Sequence, residues 1–185
     1  LVRALRGVDF ATGSLGHGLS LADGIALAGQ QKGETYFTYC LTGDAEIQEG
    51  SVWEAAMFAS AYGLKRLVAI VDRNHIGNDG PIDPFVTPEP LSEKWAAFGF
   101  KTVHIDGNDR SAVTAALRRF RQEADGPYAI VAETIKGKGL VDGIAGTATD
   151  GTSSVAFENI ERLAIRTGAG DDRVVGLAGD DQVFG

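Results

Sequence analysis

Hydrophobic and polar positions follow two alternating spacings along residues 17–140. Apolar residues at helical spacing predict four helices, at residues 19–31, 50–63, 92–99 and 110–124. Runs rich in β-branched and aromatic residues predict four strands, at residues 36–41, 66–72, 101–106 and 128–134. Because helices and strands alternate and the strand runs are almost continuously apolar, the pattern predicts an α/β fold. The predicted architecture is a parallel sheet with helices on both faces.

After the fourth predicted strand the pattern changes. Residues 141–154 are small and polar and contain glycine, which is typical of a linker. Residues 155–185 contain a nine-residue repeat, because TGAGDDRVV (167–175) aligns with GLAGDDQVF (176–184). We therefore predict an α/β unit at residues 1–140, followed by the linker and a second segment.

Composition excludes several classes of protein. The 185 residues carry a formal net charge of −8, and no run of Lys and Arg offers a nucleic-acid surface. No apolar run approaches the roughly 20 residues of a membrane span. Cys40 is the only cysteine, so the chain has no internal disulfide, and its apolar surroundings are typical of a buried strand. We expect a protein that binds neither nucleic acid nor a membrane.

Carboxylates crowd the segment LTGDAEIQEGSVWEA at residues 41–55, where Asp44, Glu46 and Glu49 stand close to the start of a predicted helix. The helix dipole and the free N–H groups of a first turn favour such carboxylates by themselves. That interpretation needs no ligand. A second polar position, Asn74 in VAIVDRNHIGNDG, indicates a different interpretation, in which these carboxylates belong to a ligand-binding site.

Asp44 and Asn74 each follow a predicted strand, one strand–helix–strand unit apart, so both are expected at the same edge of the sheet. A carboxylate, an amide oxygen and a nearby backbone carbonyl suit Mg²⁺ or Ca²⁺, and Mg²⁺ commonly completes its shell with phosphate oxygens. Gly43 lets the backbone approach phosphates closely, and the helix from Glu49 onward offers N–H groups. The residues alone therefore predict a metal–diphosphate site.

These residues resemble the thiamine diphosphate motif, which begins Gly-Asp-Gly and ends at an Asn about one βαβ unit later. The resemblance is to the transketolase family, especially the N-terminal subunits of its two-chain members, and it spans roughly residues 7–140. ATGSLGHGLSLADGIALA (11–28) is similar to the family's Gly-rich loop and following helix, and GNDGPID and ETIKGKG also fit. The resemblance implies thiamine diphosphate and Mg²⁺ as cofactors, with Ca²⁺ as an alternative metal, in a cytoplasmic protein that transfers a two-carbon ketol unit between sugar phosphates.

The resemblance also implies site residues. The implied metal ligands are the side chains of Asp44 and Asn74 and the carbonyl oxygen of Ile76. The residues implied to line the diphosphate are Gly43, Ala45 and Glu46. Those implied to lie under the thiazolium and aminopyrimidine rings are Gly13, Ser14 and Leu15. The implied acid–base or cofactor-linking residues are His17, Glu49 and Glu54, the two glutamates near a subunit contact.

Simpler interpretations stand beside these roles. Glu49 and Glu54 also fit a solvated helix face, and His17 also fits a packing or polar-contact residue. His75 flanks a proposed ligand and is expected to be merely exposed, while His104 lies between apolar neighbours on a strand and is expected to be structural.

The chain departs from the family pattern in ways that imply an incomplete catalytic apparatus. Ala45 replaces the second Gly of the motif, which requires ordinary backbone torsions at that position. The family's upstream substrate-binding histidines and the histidine expected soon after KGKG have no counterpart in this chain. Nothing resembles the domain that supplies the glutamate activating the aminopyrimidine. A pyrimidine-binding domain or subunit, in a homo- or hetero-oligomer, is therefore the expected partner.

The C-terminal repeat resembles the nonapeptides of secreted calcium-binding β-roll proteins. Asp172 and Asp181 would face Ca²⁺, while Val174 and Val183 would point to the core of the roll. Stacking needs about three or more repeats, so we expect a truncated, mostly disordered array with weak Ca²⁺ binding; a simple hairpin is the alternative. Two other functions therefore remain open: a secreted calcium-binding module with a passenger α/β unit, and an inactive α/β fragment.

Overall fold

The computed structural model describes residues 8–77, 80–82 and 89–138, and the backbone of three short strands closer to the C-terminus. The strands are β1 (Val8–Ala11), β2 (Thr38–Gly43), β3 (Leu67–Arg73), β4 (Ile76–Gly77), β5 (Gly80–Pro81), β6 (Lys101–Asp106), β7 (Tyr128–Glu133), β8 (Ile165–Arg166), β9 (Arg173–Gly176) and β10 (Val183–Phe184). The helices are α1 (Gly18–Lys32), α2 (Gly50–Ala61), α3 (Leu91–Ala97) and α4 (Arg110–Glu123), with a short 3-10 helix at Glu46–Gln48.

Four parallel strands form the centre of the sheet, in the order β2-β3-β7-β6. Each strand predicted from the apolar runs is present, with α1 before β2 and the other three helices between the expected strands. Because all four strands run in the same direction, their carboxyl ends share one edge. The predicted α/β fold is confirmed.

The two faces of the sheet carry separate apolar cores, since successive residues of a strand point to opposite faces. On one face, helices α1, α2 and α3 cover the sheet; the buried contacts include Leu19, Val52, Trp95 and Val71. On the other face, α4 packs through Ala116, Leu117 and Phe120 against strand residues such as Ile130. Cys40 is fully buried in the first core, as expected.

Local signals account for several helix ends. The Asp109 carboxylate accepts a hydrogen bond from the Ser111 N–H at 2.8 Å and caps the start of α4. Helix α1 ends at Gly33, whose φ of 71° is the left-handed conformation common after a helix. These residues set where α4 begins and where α1 ends relative to the sheet edge.

Two more strands extend the sheet beyond β2. β9 lies between β1 and β2 and runs parallel to both, with Tyr39 in register with Val174. β8 and β10 form a separate parallel pair. The remaining residues of the segment 139–185, Asp172 and Asp181 among them, lie outside the described residues, so the calcium-binding array stays a prediction. Within the described part of the chain, no helix has both the length and the apolar character needed to cross a membrane.

Candidate functional site at the carboxyl edge of the sheet

The residues that follow β2 and β3 meet at the carboxyl edge of the sheet. Gly43 and Asp72 are in register, and the Asp44 N–H donates to the Asp72 carbonyl oxygen at 3.1 Å. The backbone N–H of His75 donates to Asp44 Oδ2 at 2.7 Å. The structure therefore brings Asp44 next to the segment 74–76, as the spacing in the sequence predicts.

Asp44 is a buried carboxylate with three hydrogen-bond donors. It is 1 % exposed. Its Oδ1 accepts the Ala45 N–H at 2.9 Å, and its Oδ2 accepts both the His75 N–H and Nη1 of Arg73, the latter at 2.8 Å. Arg73 is itself 4 % exposed, so the ion pair is shielded from water. A buried charge needs such partners to remain ionised at an acceptable cost.

A second buried carboxylate orients the Asn74 amide. Asp72 Oδ2 accepts Asn74 Nδ2 at 3.1 Å, and Asp72 Oδ1 accepts the Thr134 hydroxyl. The amide oxygen of Asn74 then accepts the Ile76 N–H at 3.0 Å. Burial raises the pKa of Asp72, and the bonds from Thr134 and Asn74 oppose that rise. Because the amide nitrogen is held by Asp72, the amide oxygen faces the turn that follows.

The oxygen atoms collected here suit a hard divalent cation. They are the side-chain oxygens of Asp44 and Asn74, which accept the N–H groups of His75 and Ile76 in the turn after β3; the resemblance implies the Ile76 carbonyl as a third ligand. Among the described residues, no group of three or more His, Cys, Asp and Glu side chains could hold a metal. A carboxylate and an amide oxygen, completed by phosphate or water, are ligands of the kind that Mg²⁺ accepts.

Glu46 joins two loops beside this cluster. Its Oε1 accepts the Gly16 N–H at 3.0 Å, and its Oε2 accepts the Gly43 N–H at 3.2 Å. The side chain is 4 % exposed, and burial raises its pKa while the two N–H groups oppose the rise. The carboxylate of Glu46 thus fixes the loop before α1 against the end of β2. The N–H of Gly43, expected near phosphates, donates to this carboxylate in the structure.

The loop of residues 13–17 packs against α2 through Gly16. Gly16 has a φ of 77°, and a Cβ there would lie 2.6 Å from both Glu49 Cβ and Ser51 Oγ. The Ser51 hydroxyl donates to the Gly16 carbonyl at 3.0 Å. Glycine is therefore required by both torsion and space.

Exposed residues of the same loop stand on its outer side. Gly13 and Ser14 are exposed, and Leu15 is 48 % exposed although it is a large apolar residue. These three residues, which are implied to face the cofactor rings, lie one to three positions before Gly16. Because Glu46 bonds the N–H of Gly16, they form an open surface beside the cluster.

Ala45 has ordinary right-handed torsions, φ −71° and ψ −34°. The family motif has Gly at this position, but this backbone conformation suits any L-residue. Alanine is therefore tolerated at position 45, and the expected ordinary backbone torsions are present there.

Comparison with known proteins identifies the family. The family model described as "Transketolase, thiamine diphosphate binding domain" matches residues 2–174. The chain belongs to the transketolase family. The matched domain is the one that binds thiamine diphosphate in that family.

Two relatives of this transketolase chain are named as single subunits of transketolases. A subunit of the apulose-4-phosphate transketolase of Phocaeicola vulgatus is 37% identical over 141 residues, which are 75% of this chain and 50% of the relative. The 6-deoxy-6-sulfo-D-fructose transketolase subunit SqwG of a Clostridium species is 41% identical over 138 residues, again 75% and 50% of the two chains. The chain thus spans about half the length of these relatives.

Solved transketolases share the fold. A transketolase from Pichia stipitis, solved as the R525L mutant, superposes with a TM-score of 0.61 at 29% identity and covers 66% of this chain and 20% of its own. The Campylobacter jejuni transketolase gives a TM-score of 0.56 at 26% identity, with 66% and 20% coverage. The described α/β unit therefore corresponds to one part of a much larger enzyme.

The implied acid–base residues of this transketolase chain lie on its surface. Glu49 immediately precedes α2 without capping it by a side-chain hydrogen bond, and Glu54 lies one turn into the helix; both are exposed. His17 is exposed and its Nδ1 lies 3.0 Å from the Leu15 carbonyl oxygen. Since a carbonyl oxygen only accepts, Nδ1 carries the proton, and the Nε2 of a neutral His17 is free of one.

Sequence reasoning missed four polar residues that shape the site. Arg73 and Asp72 contact the implied metal ligands directly. Thr134 bonds Asp72, and Glu133 bonds the side chain of His75. The available signal was position, since Asp72 and Arg73 end a strand immediately before Asn74. Their partners depend on the register of β3 with β2 and with β7.

His75 and His104 share one carboxylate. Nε2 of His75 donates to Glu133 Oε2 at 2.8 Å, and Nε2 of His104 donates to Glu133 Oε1 at 3.0 Å. Both rings are more than half exposed. The exposure expected for His75 is confirmed. His104 is not enclosed by its apolar neighbours, because β6 is the edge strand and its side chain reaches across to β7.

Proposed function

We propose that this chain is the thiamine diphosphate-binding half of a two-subunit transketolase, which transfers a two-carbon ketol unit between sugar phosphates. The observation that carries the proposal is the contact between Asp44 and the turn at residues 74–76, made by the His75 N–H at 2.7 Å. Family membership and the half-length match to two transketolase subunits support it.

Three oxygen donors would hold Mg²⁺: the side chains of Asp44 and Asn74 and the carbonyl of Ile76. Asp72 keeps the amide oxygen of Asn74 available by binding its nitrogen. Among the described residues, the Ala45 N–H is the donor to Oδ1 of Asp44, which leaves acceptor capacity on that oxygen. Ca²⁺ would fit the same oxygen donors with more added ligands.

The cofactor would lie between the two loops that Glu46 joins. Gly43, Ala45 and Glu46 would line the diphosphate, and Gly13, Ser14 and Leu15 would support the rings. Bound thiamine diphosphate would supply the nucleophile for carbon–carbon bond cleavage. The chain's own residues would bind and orient it, and the exposed side chain of Leu15 offers an apolar contact for a ring.

Proton handling would need this chain and a partner together. His17 has an unprotonated Nε2 in its neutral form and could accept a proton at the loop that faces the cofactor. Glu49 and Glu54 are exposed in the chain and would become buried against a pyrimidine-binding subunit. The partner would supply the glutamate for the aminopyrimidine, so we expect no ketol transfer by the chain alone.

Calorimetric titration of thiamine diphosphate into the chain, with Mg²⁺ and then with EDTA, tests this proposal. We expect saturable binding that requires the metal and weakens at least about 100-fold in Asp44→Ala and Asp44→Asn, because each removes the ligand charge. Asp106→Ala is the matched control: it removes an exposed aspartate at the end of β6, at the same sheet edge. A folded chain that binds no cofactor, or equal binding in the Asp44 variants, would contradict the proposal.

A further inference from the structure

Arg73 occupies the carboxylate that the proposed metal would need. Its Nη1 lies 2.8 Å from Asp44 Oδ2, and that oxygen also accepts the His75 N–H at 2.7 Å. Both lone-pair directions of Oδ2 are therefore used. A divalent cation approaching Asp44 would meet a guanidinium already neutralising it, in a place where neither side chain is more than 5 % exposed. Two cations at one buried carboxylate repel each other strongly.

Arg73 also has a second anion in place. Its Nε and Nη2 lie 2.9 Å and 2.8 Å from Glu89 Oε1. The other oxygen of Glu89 accepts the Leu91 N–H at 2.9 Å, which holds the carboxylate at the start of α3. The Glu89 side chain is 45% exposed and open to water. The guanidinium can therefore leave Asp44 without becoming an unpaired buried charge, a state that would be costly.

We propose that Arg73 is an internal counter-ion of Asp44 in the cofactor-free chain, and that Mg²⁺ with diphosphate displaces its guanidinium from Asp44 onto Glu89. The inference rests on the proposed function and adds that Arg73 regulates the affinity of the site for the metal. The affinity of the site for Mg²⁺ is then set partly by the release of Arg73. Asp44 exchanges one cation for another and remains compensated in both states.

The first test compares Mg²⁺ titrations of the wild-type chain and Arg73→Gln, by calorimetry at a fixed, saturating concentration of thiamine diphosphate. We expect about tenfold tighter Mg²⁺ binding in Arg73→Gln, a change of the size seen for residues that support a metal ligand. Arg73→Met repeats the test with a similar stem if the Gln variant does not fold. Lys136→Gln is the matched control, since it removes a positive charge that acts on Asp72 at the same edge.

Glu89→Gln separates displacement from long-range electrostatics. Loss of the second anion makes Arg73 hold Asp44 more tightly, so we expect Mg²⁺ binding to weaken several-fold, by about threefold to tenfold. In the double variant, Arg73→Gln with Glu89→Gln, the effect of Glu89 disappears because no guanidinium remains to be moved. A purely long-range effect of the Glu89 charge would persist at full size in the double variant.

The outcomes distinguish this inference from the proposed function. Tighter Mg²⁺ binding in Arg73→Gln, with no comparable change in Lys136→Gln, supports both. Binding to Arg73→Gln but not to the wild-type chain also supports the counter-ion. If the wild-type chain binds Mg²⁺ and Arg73→Gln binds it equally or more weakly, Arg73 positions Asp44 instead and the inference is overturned while the proposed function stands. No binding by either folded chain overturns both.

Discussion

At the scale of single residues, the buried carboxylates differ in what compensates their charge. Asp44 has a guanidinium and two N–H donors, Glu46 has two N–H donors, and Asp72 has a hydroxyl and an amide. Asp23 is equally buried, at 3 % exposure, yet no described residue donates a hydrogen bond to its Oδ1. The first three belong to the site at the sheet edge. Asp23 lies on α1 among apolar neighbours. Of these four carboxyl groups, it is the one whose ionised form burial disfavours most directly.

Replacing Asp23 should remove a pH dependence of stability. Burial raises the pKa of Asp23 to about 8 from a usual value of 3.8. Between these values the folded chain keeps a proton that the unfolded chain releases, so the free energy of unfolding falls as the pH rises from about 4 to 8. We expect Asp23→Ala to be more stable than wild type at pH 8, by about 1–3 kcal/mol for one uncompensated buried group, with a smaller gain near pH 4.

Urea unfolding of both chains across that pH range measures the difference. Asp23→Asn serves as the comparison, since it keeps the volume but cannot ionise; the fall in stability between pH 4 and 8 should flatten in it as well. Burial also raises the pKa of Glu46, which is a second source of pH dependence, whereas the raised pKa of the Cys40 thiol keeps that group neutral over this range. A pH profile as steep in both variants as in wild type would assign the dependence to Glu46.

At the scale of elements, the loop before α1 depends on one glycine. A Cβ at Gly16 would collide with Glu49 and Ser51, and its φ of 77° disfavours any other residue. We expect Gly16→Ala to lower the free energy of unfolding by roughly 1–3 kcal/mol and to weaken cofactor binding, because it separates the loop from α2. Thermal unfolding followed by circular dichroism gives the stability difference.

Gly24→Ala is the matched control for that change. Gly24 lies inside α1, and a Cβ there meets nothing within 4 Å. The same substitution should therefore stabilise the chain by roughly 0.5–1 kcal/mol, since alanine favours a helix interior. Equal effects at the two positions would mean that the contact of Gly16 with α2 contributes nothing.

The elements and the ligand positions were predictable from the sequence, but the pairing of side chains was not. Apolar periodicity is a local property, and it located β2, β3, β6 and β7 and their helices to within a few residues. The spacing of Asp44 and Asn74 required only that two parallel strands end at one edge. Arg73 could not be assigned to Asp44, nor Glu133 to the two histidines, because those contacts depend on register between strands far apart in sequence.

At the scale of the whole molecule, the chain corresponds to one part of larger transketolases. It spans about half of the two transketolase subunits it resembles and a fifth of the solved enzymes. Its exposed Leu15 and Glu49 lie beside Gly16, which Glu46 holds at the carboxyl edge of the sheet. Glu49 and the exposed Glu54 are the residues proposed to contact a partner subunit. The other long-range feature is the pairing of β9 with β2, since β9 comes from a segment that the sequence sets apart.

Truncation decides whether the C-terminal segment belongs to the α/β unit. In the structure, residues 38–40 of β2 pair with β9, and β2 would become an edge strand without it. We expect the chain of residues 1–138 to unfold at lower urea than the chain of residues 1–176, and to lose hydrogen-exchange protection at the β2 amides that face β9. An exposed edge also favours association between copies, so light scattering should rise in the shorter chain. Equal stability and equal β2 protection in both truncations would instead support the boundary near residue 140, with the repeat segment as a separate unit.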